Sequence, residues 1–243
     1  MKTSWNVFWN SFYTNKSYID VFDGLKATAI IAVAGLIIGI LIGTLLAIAK
    51  VMPRNGILSK SFSALADGYI ALFRGTPIAV QLLIIYYVVF PAINLKPATL
   101  NLPIETYRIV VAMIIYGMNS GAYVSEIMRS GIQSVDIGQM EAGRTLGLSY
   151  GFTMRHVVIP QAIKNILPTL GNEFIVLIKE TSVVSFIAVV DVTKAFKSIA
   201  DSNYEYIVPY LILGLVYLVI VIAITFLIKF IERRFAKSDR RKA

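Results

Sequence analysis

The sequence predicts an all-α membrane protein of about five transmembrane helices, led in by an N-terminal interfacial helix. A mean hydropathy of +0.72 and a 57% hydrophobic content over 243 residues are too apolar for a soluble domain of this length. Crossing a bilayer takes about 20 mostly apolar residues per helix. The uncharged runs 27–49, 75–95 and 207–228 meet that length. Run 109–125 is slightly short, but its flanks Arg108 and Glu126 have stems that reach the interface. Segment 166–190 has the length yet carries Glu173, Lys179 and Glu180, which marks it as a functional span.

The net charge of +9 is distributed as topology requires, which argues against nucleic acid as its partner. Lys50, Arg54 and Lys60 follow the first run. Arg129, Arg144, Arg155 and Lys164 lie between 125 and 166, and Lys229, Arg233, Arg234, Lys237, Arg240, Arg241 and Lys242 end the chain. Loops 91–106 and 191–205 hold few basic residues, with acidic ones to offset them. The positive-inside rule therefore makes the basic loops cytoplasmic and the other two external. An odd number of spans leaves the N-terminus outside and the C-terminus in the cytoplasm.

The sequence has no cysteine and one histidine, His156, so disulfides, thiolate sites and a metal centre are not expected. The start of the chain offers Trp5, Phe8, Trp9, Phe12 and Tyr13 in place of the compact apolar segment of a cleavable signal peptide. These aromatics recur at helical spacing. They read as a helix lying on the outer leaflet, or as a loosely ordered aromatic tail.

Gly35, Gly39, Gly43 and Ala47 put a small residue at every fourth position of the first span, a smooth ridge for close backbone approach. The ridge serves packing within the chain or contact with a second copy. Arg74-Gly75-Thr76-Pro77 predicts a break at the membrane edge before the second span, because proline removes a donor and restricts the residue before it. Pro91 and Pro97 punctuate the outer loop, and Pro168 with Gly171 predicts a kinked entry for the charged span. No repeat or linker divides the chain. The expected organisation is an interfacial segment, 1–22, a transmembrane domain, 23–234, containing a cytoplasmic loop at 134–160, and a basic cytoplasmic tail, 235–243.

Within that loop, 134–150 reads as a short helix that Gly147 ends in a left-handed cap. A second helix is expected from 148 to 158, broken by Pro160. Two short helices joined at a glycine form a compact knob, with Met140, Leu146, Leu148 and Met154 as its apolar contact surface. The residues Glu141-Ala142-Gly143, then Gly147, then Val157-Val158-Ile159-Pro160 resemble the EAA loop of ABC importer permeases. Gly143 stands where that pattern has alanine. Further blocks look like the polar amino acid permease family, the importers of histidine, glutamine, glutamate, arginine and opines. They are Arg74-Gly75-Thr76-Pro77 with Val80-Gln81-Leu82, Asn119-Ser120-Gly121-Ala122-Tyr123, and Lys179-Glu180-Thr181-Ser182.

The resemblance runs from about Asp23 to Arg234 and implies an ABC type I importer permease fold. It implies that Glu141, Ala142, Gly143, Gly147 and Pro160 belong to the surface that docks on a cytoplasmic ATPase subunit present in two copies. It also implies a second permease chain, identical or not, and an extracytoplasmic amino-acid-binding protein. Its central cavity implies substrate contacts at Arg74, Gln81, Asn119, Glu180, Thr181 and Ser182.

The chemistry of these residues suits a zwitterion: Arg74 offers a planar fork to a carboxylate, Glu180 a partner for an ammonium group, and the two amides both donors and acceptors. Each position also has a structural reading. Arg74 could be an interfacial anchor, Asn119 a bridge between helices, and Glu180 a charge neutralised by Lys179. Glu173 and Glu180 stand seven residues apart, and with Val176, Leu177 and Val184 they form a stripe expected to face the pore.

No Ser-His-Asp set or Walker A sequence occurs, so energy must come from a separate ATPase and no cofactor is expected. The rival reading is a secondary transporter or channel for small polar solutes. Five spans without an inverted repeat argue against a self-contained carrier.

Overall fold

The computed structural model describes residues 2–51 and 56–240, leaving Arg54 and the last residues of the basic tail, 241–243, outside the described residues. The chain is helical nearly throughout them. Helix α1 (Lys2–Thr14) turns at Lys16, which has a positive φ of 56°, into α2 (Ser17–Val51). Helices α3 (Ile57–Gly75) and α4 (Ile78–Ile84) follow, and a widened turn at Ile85–Val89 extends α4 to Ala92. After a single turn at Pro97–Leu100 comes α5 (Ile104–Gln133). The knob consists of α6 (Ile137–Thr145) and α7 (Tyr150–Thr153), and a second widened turn at Met154–Val158 leads into α8 (Ile159–Glu180). A 3-10 segment, Thr181–Ile187, precedes α9 (Val192–Asn203) and α10 (Ile207–Arg240).

Helices α2 and α5 form the spine. They run parallel and in register, with Gly35, Gly39 and Gly43 facing Tyr116, Ser120 and Val124. A Cβ on Gly39 would lie 2.7 Å from Ser120 Oγ, and one on Gly43 2.7 Å from Val124 Cβ. Gly117 and Gly121 reciprocate against Ile38 and Ile42. Lipid tails are as apolar as these side chains, so close packing rather than water exclusion holds such a seam. The small-residue ridge thus packs within the chain.

The main core joins Ile31 and Ala32 of α2, Leu82 of α4, Val111, Ile115 and Tyr116 of α5, and Leu177 and Ile178 of α8 to Val184 and Ile187. A second cluster joins Phe8, Val21, Phe196, Ile199 and Val208 across α1, α2, α9 and α10. The outward rows Ile30, Val33, Ile37, Leu41 and Leu45 on α2, and Leu211, Leu215, Leu218 and Ile222 on α10, remain exposed apolar surface.

Among the described residues α2 and the 207–233 part of α10 are long and apolar enough to cross a membrane, and the bent pair α3–α4 is a third if it forms one span. The expected five are not all apparent on that criterion, because α5 and α8 are long but carry many polar residues. Three local expectations change as well. Helix α8 passes through Pro168 without interruption and ends at Glu180, so segment 166–190 is not a single helix. Pro160 breaks nothing: it stands at the second position of α8, just after the widened turn. There the Ile159 N–H bonds to Met154 O, one residue farther back than in an α-helix, which gives the proline ring room. Pro91 follows the turn at Ile85–Val89 at the same spacing. Lastly, Leu177 and Val184 lie fully buried in the core, so the expected pore-facing stripe reduces to Glu173 and, on the surface, Val176.

Candidate functional site

The break between α3 and α4 bends the chain by 106°. Pro77 has no N–H, so Phe73 O at the end of α3 loses its ordinary helical donor. Two buried amides replace it. Gln81 Nε2 donates to Phe73 O at 2.8 Å, and Asn119 Nδ2 donates to the same oxygen at 3.2 Å. Asn119 Nδ2 also donates to Gln81 Oε1 at 2.9 Å, and Gln81 Nε2 reaches Thr76 O at 2.9 Å. Gln81 and Asn119 thus brace the break and tie it to α5.

The brace holds Arg74, the last basic residue of α3, with its guanidinium 5.2 Å from the centre of the Tyr123 ring. Arg74 and Tyr123 line an open-sided cavity of about 450 Å³ between α3, α5 and α8. Its wall includes Glu126 and Ser130 from α5, Ser134 just past its end, and Asn165, Thr169 and Glu173 from α8. Glu173 is buried and accepts a hydrogen bond from Ser120 Oγ at 2.9 Å. At one end of the cavity Glu126 accepts from Arg129 at 2.6 Å and from Lys50 at 2.7 Å, and Lys50 also pairs with Asp67. Glu126 follows the apolar run 109–125, and hydrogen bonding from Arg129, helped by Lys50, holds its carboxyl down at about 2. A cavity that presents the Arg74 guanidinium, the Glu173 carboxyl and a ring of hydroxyl and amide groups suits a small polar solute that carries both signs of charge.

Of the residues singled out by resemblance, the cavity takes Arg74 directly and has Gln81 and Asn119 behind it. Glu180, Thr181 and Ser182 lie elsewhere, at the other end of α8. Thr181 Oγ1 is buried and donates to Ile178 O, while Glu180 is half-buried and accepts from Tyr116 OH through its backbone carbonyl. Tyr123, Ser130, Ser134, Asn165 and Thr169 were not assigned a role from the sequence. A signal for them exists: 123, 126, 130 and 134, and likewise 165, 169 and 173, repeat at helical spacing as polar stripes along otherwise apolar helices.

The knob lies beyond this end of the cavity. Asp136 caps α6 by accepting from Gly138 N at 2.7 Å. At its other end Leu148 N bonds to Gly143 O at 3.1 Å and Gly147 N to Arg144 O at 3.0 Å, the paired bonds of a Schellman cap. Gly147 has the positive φ of 81° that this cap requires. Gly143 is buried against Thr153, while Glu141, Ala142 and Pro160 are exposed. Leu146 (80% exposed) and Ile137 (72%) dominate the outer face, with Tyr150 and Phe152 beside them. Met140, Leu148 and Met154 are half-buried.

Lipid-exposed apolar helices around a charged cavity define a membrane protein built to hold a polar solute, with a rigid knob projecting from one end. Residues 35–237 match the family described as "Binding-protein-dependent transport system inner membrane component", and the chain belongs to that family, a transport component rather than an enzyme. It is 37% identical over 219 residues to the arginine transport system permease protein ArtQ of Bacillus subtilis, covering 90% of this chain and 94% of that protein. It is 38% identical over 215 residues to a putative glutamine transport system permease protein GlnP of Rickettsia prowazekii, covering 88% and 92%. Among solved structures, an amino acid ABC transporter crystallised with histidines matches at 38% identity and a TM-score of 0.77, covering 92% of this chain and 97% of that one. The MetNI methionine ABC transporter in an inward-facing conformation shares the fold at 17% identity and a TM-score of 0.66, covering 88% and 93%.

Proposed function

We propose that this chain is the membrane subunit of an ATP-driven bacterial importer for a polar amino acid. Two such subunits enclose the pathway, with the N-terminus outside and the C-terminus in the cytoplasm. A binding protein delivers solute from outside, and the knob of each subunit docks on an ATPase subunit. The observation that carries the reading is the pairing, in one chain, of the Arg74–Glu173 cavity with a capped knob whose most exposed apolar side chains are Leu146 and Ile137. The relatives named for arginine and glutamine transport support the substrate class.

Arg74 receives the substrate carboxylate, and Glu173 faces its ammonium group across the cavity, while Glu126 is taken up by Arg129 and Lys50. Gln81 and Asn119 hold the break that aims Arg74, and the 180–182 segment contributes on the outer side of the pathway. Substrate shifts the complex between states only by the difference of its affinities for them.

The test is co-purification from native membranes in mild detergent. Recovery of a Walker A ATPase that is lost when Leu146 and Ile137 are changed to Asp supports the assignment. A chain that purifies alone and transports solute on an ion gradient overturns it. In the assembled complex, Arg74→Leu is expected to raise the amino acid concentration needed to stimulate ATP hydrolysis. An unchanged response would remove Arg74 from the path.

A further inference from the structure

Helix α1 carries three distinct rows. Phe8 and Ser11 are buried, Phe8 packing with Val21, Phe196, Ile199 and Val208. Trp5, Trp9 and Tyr13 form an exposed row in which successive rings stack at 6.4 and 5.5 Å. Asn6, Asn10 and Thr14 form an exposed polar row on the far side of the aromatic one, with Thr14 Oγ1 donating to Asn10 Oδ1. No charged residue occurs from Thr3 to Asn15.

Two hydrogen bonds fix the depth of this helix. Ser4 Oγ donates to Glu205 Oε2 at 3.2 Å, and Asn203 Nδ2 donates to Ser11 Oγ at 2.6 Å. Glu205 stands two residues before Ile207, where the uncharged run of α10 begins. The helix is therefore held where an apolar helix leaves the hydrocarbon. Indole and phenol rings, apolar in body and polar at one edge, favour that boundary.

We propose that α1 is a lipid-anchored strap. Its Trp5–Trp9–Tyr13 row sits in the headgroup boundary of the bilayer with the asparagine row toward water, and its buried row ties down the α9–α10 turn. The occupant of the aromatic face is lipid. An uncharged ring surface tied through Ser4 to Glu205, just before the exposed apolar residues Ile207 and Leu211, has nothing to pair with a charged aqueous partner.

The chain supplies its own probe, because Trp5 and Trp9 are its only tryptophans. The full-length protein in nanodiscs of acyl-chain-brominated phosphatidylcholine is expected to lose most of its tryptophan emission relative to unbrominated lipid. The single-tryptophan variants Trp5→Phe and Trp9→Phe should both retain that loss. Emission indifferent to bromine would overturn the anchor: quenching by aqueous iodide instead would mean the row faces water, and protection from both quenchers would mean that protein covers it. The strap is read separately: Phe8→Ala should speed backbone hydrogen exchange at 199–206, and unchanged exchange there would overturn it.

Discussion

Thr153 occupies the space that a side chain on Gly143 would need: a Cβ on Gly143 would stand 2.5 Å from Thr153 Cγ2 and 2.7 Å from Thr153 Oγ1. Thr153 is fully buried and bonded to Ser149 O, so it cannot swing away freely. Where the EAA pattern has alanine, this chain has closed the gap between α6 and α7 with the threonine. Gly143→Ala is therefore expected to splay the knob, at an overpacking cost of about 1–3 kcal/mol. Thr153→Ala in the same chain should restore it. The measurement is ATP-driven uptake in proteoliposomes, and additive losses in the double variant would refute the packing account.

Gly147 makes a different prediction. No atom lies within 4 Å of a Cβ added there, so space is no obstacle, and the constraint is the positive φ of 81°. Gly147→Val should cost about 1–2 kcal/mol through that conformation and loosen coupling, whereas Gly147→Asn should be tolerated. Uptake per ATP hydrolysed is the quantity to compare. Equal ratios for the two variants would mean the cap does not transmit force.

The amide brace separates two roles for Gln81 and Asn119. If they hold the break, Asn119→Leu leaves the buried Gln81 Oε1 without its donor and Phe73 O with one amide in place of two, and lowers the unfolding midpoint of the chain even without substrate, by about 1–3 kcal/mol in stability. Thermal unfolding in detergent reads this directly. Normal stability with a changed substrate concentration dependence would return these amides to the substrate itself.

Glu126 gives the chain an acid-sensitive joint. Its carboxyl is held at about 2 against an ordinary 4.5. A depressed acid stabilises the fold fully above its ordinary value, and that contribution fades as the pH falls toward the folded-state value. Glu126→Gln should therefore unfold more easily than the parent at about pH 7, with the difference narrowing below 4.5. Parallel melting curves from about pH 7 to about pH 3 test it. A gap that stays constant across the range would show that packing, not charge, is what Glu126 supplies.

Much of this architecture was legible in the sequence because it is written in periodicities. The ridge of Gly35, Gly39 and Gly43, the cap at Gly147 and the break at Pro77 each follow from one residue type at one spacing. What stayed hidden depends on partners far along the chain. Nothing near Gln81 in sequence says that its amide meets Asn119 and Phe73 O, since α4 and α5 come together only through the bend. The prolines misled for a related reason. Pro160 looks like a helix breaker and Pro91 like a loop residue, but a widened turn that ends two residues upstream absorbs each ring within a helix, and that turn leaves no mark in composition. The polar stripe of α8 was read through Glu173 and Glu180, although only Glu173 faces the cavity, because the helix ends at Glu180 and the periodicity does not carry into the 3-10 segment.

The interlocked seam between α2 and α5 has a mechanical consequence. Glycines and bulky side chains alternate from both sides, so sliding either helix by one residue's rise, about 1.5 Å, drives backbone into Tyr116, Ser120, Val124, Ile38 or Ile42 together. The pair behaves as a single beam that resists shear along its length. Whatever shape change accompanies a transport cycle must rotate the beam as a unit or be taken up at its joints, and the 106° bend at Pro77, braced to the beam through Asn119, is one of them.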